Sequence, residues 1–189
     1  MKILIFDNYD SFTYNILNAL DQLGYTDIDV IRNDKIALED IDIYDKIILS
    51  PGPGIPEEAG LLLDLIKRYG KTKSIFGICL GHQAIGEAFG AKLENLTNLY
   101  HAKTSEIFFE AKDHIFDSFE TGFTAGRYHS WIVSRDGFPD ELEITASDKD
   151  GQIMALKHKE YDIHAVQFHP ESILTPNGEQ ILKSFLEGQ

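Results

Sequence analysis

The chain has 189 residues, 31 acidic against 17 basic, with a formal net charge of -14 and 43% hydrophobic content. That length and composition suit one globular domain over 1–189 with a full core, and so acidic a chain repels both a nucleic-acid backbone and an anionic membrane face. Only Ile3-Leu4-Ile5-Phe6 stands between Lys2 and Asp7, too short a run for a signal-peptide core or a membrane span, and one cysteine leaves no internal disulfide, so a reducing cytoplasmic setting is expected.

In chain order, Ile3 to Phe6 predicts a strand covered on both faces, as parallel strands are. Asp7-Asn8-Tyr9-Asp10-Ser11 reads as a turn, with Asp10 or Ser11 as N-cap of a helix carrying Phe12, Ile16, Leu17, Leu20 and Leu23 at helical spacing, closed by Gly24. The stretch 27–31 reads as a second strand and 46–49 as a third. Ser50-Pro51-Gly52-Pro53-Gly54-Ile55-Pro56 follows the third strand, where open α/β sheets bind ligands. Its prolines stiffen the loop and leave the Gly52 and Gly54 amides free of side-chain obstruction. The bland alternative is a rigid connector into a helix over about 57–69.

Phe76-Gly77-Ile78-Cys79-Leu80-Gly81-His82-Gln83 places the single cysteine between a strand over 74–79 and a helix that includes 84–89 and stops at Gly90. Gly-x-Cys-x-Gly has the spacing of a nucleophile elbow. Gly77 and Gly81 suit a turn where any Cβ would strike backbone, and the unpaired N–H groups of the following helix favour a thiolate. Alone, Cys79 reads equally as a small buried hydrophobe.

After Gly90 the pattern changes to short strand-like runs, 104–110, 142–146, 153–158 and 164–168, which read as antiparallel additions at a sheet edge. A helix over 178–186 ends the chain. The fold expected is α/β, doubly wound, with a mostly parallel central sheet, antiparallel edge strands and a flavodoxin-like core. Of seven histidines, His169 directly follows an apolar run and precedes Pro170, which places it at a strand end like the elbow. Glu171 lies two residues on and projects to the same side, as a carboxylate that orients an imidazole must. Nucleophile, base, orienter and the amides of Leu80 and Gly52 together make a constellation for acyl transfer.

Five stretches carry a resemblance over the whole chain: Asp7-Asn-Tyr-Asp-Ser-Phe-Thr-Tyr-Asn15, Ser50-Pro-Gly-Pro-Gly54, Gly77-Ile-Cys-Leu-Gly-His-Gln83, Arg127-Tyr-His-Ser130 and Val166-Gln-Phe-His-Pro-Glu-Ser172. In that order they resemble the class I, triad-type glutamine amidotransferases, and among them the glutaminase components of anthranilate synthase and aminodeoxychorismate synthase. The resemblance implies that Cys79 attacks the side-chain amide of L-glutamine, that His169 moves the protons and that Glu171 steadies it. It also implies that Gly52, Pro53, Gly54, Leu80, Gln83, Ser130 and Trp131 hold the glutamine, with Gly52 and Leu80 as the oxyanion hole. The partner implied is a chorismate-using synthase subunit in a heteromer, which binds any magnesium; no cofactor or metal is expected in this chain. Asp7 to Asn15 and the segment around His101 are expected at the subunit contact. Two positions depart from the family: Ala102 stands where His-Gly-Lys is usual, and alanine takes positive φ less freely than glycine, while Trp131 replaces a common leucine.

Anthranilate formation is the preferred pathway, with 4-amino-4-deoxychorismate formation, or both, as the alternative. A different class, a flavodoxin-like module holding a phosphate on Asp10-Ser11-Phe12-Thr13 at a helix N-terminus, leaves Cys79, His169 and Glu171 without a role.

Overall fold

The computed structural model describes residues 1–96 and 100–188. Strand β1 (Ile3–Asp7) leads to helix α1 (Thr13–Gln22), then β2 (Ile28–Arg32), β3 (Lys46–Leu49), α2 (Leu62–Tyr69), β4 (Ser74–Ile78) and α3 (Leu80–Ala88). Short strands follow: β5 (Leu93–Asn95), β6 (Lys103–Phe109), β7 (Phe123–Arg127), β8 (Trp131–Val133), β9 (Leu142–Asp148), β10 (Ile153–His158) and β11 (Ile163–Val166), before α4 (Glu179–Glu187). Nine strands make one sheet in the order β2-β1-β3-β4-β11-β10-β9-β6-β7, and β5 pairs with β8 separately. From β2 to β11 all pairings are parallel; from β11 onward they are antiparallel.

Successive side chains of a strand point to opposite faces, and β1 shows the consequence. Ile3 and Ile5 pack with Ile16 and Leu20 of α1 and with Ile181, Leu182 and Phe185 of α4. Leu4 and Phe6 pack with Leu62, Leu65 and Ile66 of α2 and with Leu80, Ala84 and Ile85 of α3. Two helical layers thus sandwich the sheet, and burial on both sides is why β1, β3 and β4 are unbroken apolar runs.

Several local expectations are corrected. The run near 164–168 is no edge addition: β11 pairs parallel with β4, Ile163 opposite Ile75 and Val166 opposite Ile78, deep in the sheet. Only β6, β7, β9 and β10 form the antiparallel extension, and β5, β7 and β8 give no clear signal in sequence because each is short and carries or adjoins polar residues. The α1 N-cap is Phe12, without a side-chain bond; Asp10 accepts instead from the Phe12 amide at 2.8 Å. Between 57 and 69, a 3-10 turn over Pro56–Glu58 is separated from α2 by Gly60 at φ +56, a conformation that an uninterrupted helix excludes. Helix α3 begins directly after Cys79. The Gly24 stop is observed at φ +91, with Gly24 N bonded to Asp21 O and Tyr25 N to Leu20 O, the paired bonds of a Schellman cap.

Candidate active site

In the sheet, β4 lies between β3 and β11. Cys79 follows β4, the Ser50–Gly54 stretch follows β3, and His169 follows β11, so three adjacent C-terminal strand ends converge at one place. Cys79 N still donates to Val166 O at 2.9 Å, which extends the ladder one residue before the chain turns.

At that turn Cys79 takes φ 53, ψ -99, a region that costs a side-chain-bearing residue about 1–3 kcal/mol unless its surroundings hold it there. Close packing supplies the hold. A Cβ on Gly77 would lie 2.6 Å from the carbonyl of Gly81, and one on Gly81 would lie 2.6 Å from Leu49 O. Helix α3 therefore sits directly on β3 and β4, with its first amides beside the sulfur; Gln83 N is the first to find an intrahelical acceptor, Cys79 O at 3.0 Å.

Gly52 is fixed from the other side. Its Cβ would strike Asn8 Cβ and Leu80 Cδ2, both at 2.7 Å. Asn8 is buried and holds this loop: Asn8 N donates to Ser50 Oγ at 2.8 Å and Asn8 Nδ2 to Ser50 O at 2.8 Å. Asp7 Oδ1 accepts from Tyr9 N and from Thr13 Oγ1. The first residues of the Asp7–Asn15 stretch thus brace the site from within, a role that their spacing alone does not assign.

His169 is buried and its Nδ1 donates to Glu171 Oε1 at 2.7 Å. Burial opposes charging of the ring, but the Glu171 carboxylate outweighs it and, with Cys79, holds the imidazole's proton affinity well above the ordinary histidine range. Nε2 has no hydrogen-bond partner; it neighbours the Cys79 sulfur without a formed bond, the geometry of a base ahead of substrate. Phe12 and Tyr128 pack edgewise on the ring, with centroids 5.0 and 4.9 Å away, and fix its plane.

A cleft of about 180 Å³ opens over Cys79, lined by Gly52, Pro53, Gly54, Gln83, Tyr128, His129, Ser130 and Trp131. It is small beside the ~300–1,000 Å³ of drug-sized pockets, a scale suited to one amino acid. Of the predicted binding residues only Leu80 is absent from the lining: its side chain is buried against the Gly52 loop, so it offers the site only its amide. Gln83 Nε2 donates to Trp131 O at 2.9 Å and to Gln167 Oε1 at 3.2 Å, which leaves Oε1 as the atom a ligand's N–H could reach. Gln167, fully buried, directs Nε2 at Cys79 Sγ from 3.6 Å. Gln167, Asn8, Phe12 and Tyr128 are site residues to which sequence alone assigns no task, although all four lie within the stretches that carry the family resemblance.

At the opposite end of the sheet, Asp113, His114 and His164 bring ligand-type atoms within 4.8 Å of one another. Burial works against a charged His164, but it lies between Asp113 at 2.9 Å and Asp162 at 3.3 Å, which raise its proton affinity. Lys46 stands 3.7 Å from Asp162. Those charges suit an imidazolium better than a metal ion. A phosphate at the start of α1 also fits poorly, because the Asp7 and Asp10 carboxylates already accept from the Tyr9 and Phe12 amides there.

The family model for class-I glutamine amidotransferases matches residues 4–188. Anthranilate synthase component 2 of Cyanophora paradoxa is 48% identical over 187 residues, 97% of each chain. The aminodeoxychorismate/anthranilate synthase component 2 of Bacillus subtilis is 44% identical over 187 residues, 98% of this chain and 95% of that one. The bifunctional protein TrpGD of Thermotoga maritima is 44% identical over 191 residues, of which this chain spans 32%. Among solved structures, a GMP synthase component from Thermoplasma acidophilum is 27% identical, with TM-score 0.87 over 98% of this chain and 92% of that one.

Proposed function

The chain belongs to the class I glutamine amidotransferases, and from that premise we propose that it releases ammonia from L-glutamine through Cys79, His169 and Glu171 for use by a chorismate-consuming synthase subunit. His169 Nε2 accepts the Cys79 proton, and the sulfur attacks the side-chain amide carbon. The oxyanion forms between the Leu80 and Gly52 amides, where N–H donors aimed at developing charge are worth about 10²–10³-fold in rate. Collapse of the tetrahedral intermediate breaks the C–N bond as His169 returns its proton to the nitrogen, and ammonia leaves a glutamyl thioester. Water, losing its proton to His169, attacks that thioester; glutamate departs and the thiol is restored. Throughout, Glu171 steadies the imidazolium at 2.7 Å.

The observation that carries this reading is the partnerless Nε2 of His169 beside the sulfur of a strained turn, with the opposite ring nitrogen anchored on a carboxylate. Pro53, Gly54, Gln83, Ser130 and Trp131 are the walls against which the rest of the glutamine lies. The whole chain acts as one domain in this reading, and magnesium belongs to the partner's chorismate site. Among described residues no helix is long and apolar enough to cross a membrane, and a cytoplasmic setting is part of the proposal.

Between pathways, the names of the relatives point both ways, and anthranilate synthesis is preferred. The test is glutamine hydrolysis and aminobenzoate formation by this chain with each type of chorismate-using component. Stimulated hydrolysis with anthranilate as product is expected; formation of the para-series product alone would move the assignment to folate precursor synthesis.

A further inference from the structure

A chain of buried hydrogen bonds runs from Arg127 to the nucleophile, and its polarity is fixed at the far end. Arg127 is fully buried and paired with Asp148 at 2.6 Å; it also donates to Ser105 Oγ at 3.1 Å and to Gln152. A guanidinium only donates. His129 Nε2, 3.0 Å from Arg127 Nε, must therefore accept, so the ring proton resides on Nδ1 and is donated to Trp131 O at 2.9 Å. A carbonyl only accepts, so the Gln83 atom facing it must be Nε2, and Gln83 Nε2 in turn faces Gln167 Oε1. The end of the chain is forced: Gln167 presents Nε2, a donor, to Cys79 Sγ.

We propose that Gln167 is a further catalytic residue, its N–H stabilising negative charge on the Cys79 sulfur, and that Arg127 and His129 are positioning residues that set its orientation. Donors to charged groups form the stronger hydrogen bonds, so the contact matters most when the sulfur is ionised or attacking. Around that sulfur stand His169, backed by Glu171, from the segment after β11, the first amides of α3, His82 from α3 and His129 from the segment before β8. Burial holds His82 and His129 at about 3, so of these rings only His169 carries charge near neutrality.

Cys79 is the single cysteine, so alkylation of the full chain by iodoacetamide followed by mass spectrometry reads this thiol alone, without substrate. Gln167→Leu should slow alkylation at pH 7 by about tenfold and move the rate-versus-pH profile to higher pH. Gln167→Glu, which replaces the donor by an acceptor of the same shape, should do so more strongly. His129→Leu should act in the same direction, and combining it with Gln167→Leu should add nothing, the signature of groups acting in series. An unchanged profile in a Gln167→Leu variant that keeps the parent's melting temperature would overturn the proposal. Should that variant not fold, an unchanged profile in Gln167→Glu would overturn it equally. The proposal rests on Cys79 as nucleophile, but the two fail separately: alkylation reports on the sulfur alone, whereas glutamine turnover by Cys79 variants reports on the assignment.

Discussion

Single residues here do work that their type alone does not disclose. Cys79 is reactive by position: a backbone at φ 53 aims its side chain out of β4, and His169 waits beside it with a raised proton affinity and a neighbouring carboxylate. That combination favours a thiolate–imidazolium pair over two neutral groups. Glu87, two turns further along α3, shows the same physics without chemistry. Burial, then the Glu57 carboxylate, push its carboxyl up from 4.5 to about 7. A group whose folded-state value is raised contributes stability fully present below the unfolded value and lost as pH rises through the folded one. The melting temperature should accordingly fall as pH rises between 4.5 and about 7, and Glu87→Gln should flatten that part of the profile; a variant as steep as the parent would contradict the pairing.

Elements explain which parts of this site were legible in sequence. Glycines at fixed offsets from Cys79 predict a turn because the steric need is local, and the structure supplies the obstacle, Gly81 carbonyl for Gly77 and Leu49 O for Gly81. Gly77→Ala should destabilise the chain by about 1–3 kcal/mol in urea melts and depress glutamine turnover; a neutral effect on both would mean that α3 is free to move away. The His169–Glu171 pair was legible for a similar reason, since two residues in extended chain share a side. Gln167 was not: its importance arises from contacts with residues 88 and 84 positions away, which no spacing reveals. Nor was the place of β11, because a short apolar strand reads alike at an edge and in the middle of a sheet. Ala102 gives the converse case. Its departure from glycine raised the question of positive φ, and the structure places it at φ 52. Ala102→Gly should relieve about 1 kcal/mol of backbone strain, seen as an equal or higher melting temperature; a clear fall would show that the alanine is the better residue at this position.

At the scale of the molecule, strand order turns scattered motifs into a site. The β3-β4-β11 neighbourhood brings residues 52, 79 and 169 together although more than a hundred positions separate the first from the last. The antiparallel extension then adds one wall: β7 leads to Tyr128–Trp131, and the buried Arg127–Asp148 pair ties β7 to β9. Arg127→Met leaves Asp148 buried and unpaired, so a loss of about 3–5 kcal/mol is expected from denaturant unfolding, while replacing both partners with apolar residues should recover much of it. Chemistry and scaffold meet most directly in a reconstituted complex of this chain with its chorismate-using partner, assayed for aminobenzoate product with glutamine and then with ammonium as the nitrogen source. Cys79→Ser should lose glutamine-dependent product and keep ammonium-dependent product at the level of the parent complex; glutamine-dependent turnover at the parent rate would contradict the role given to Cys79.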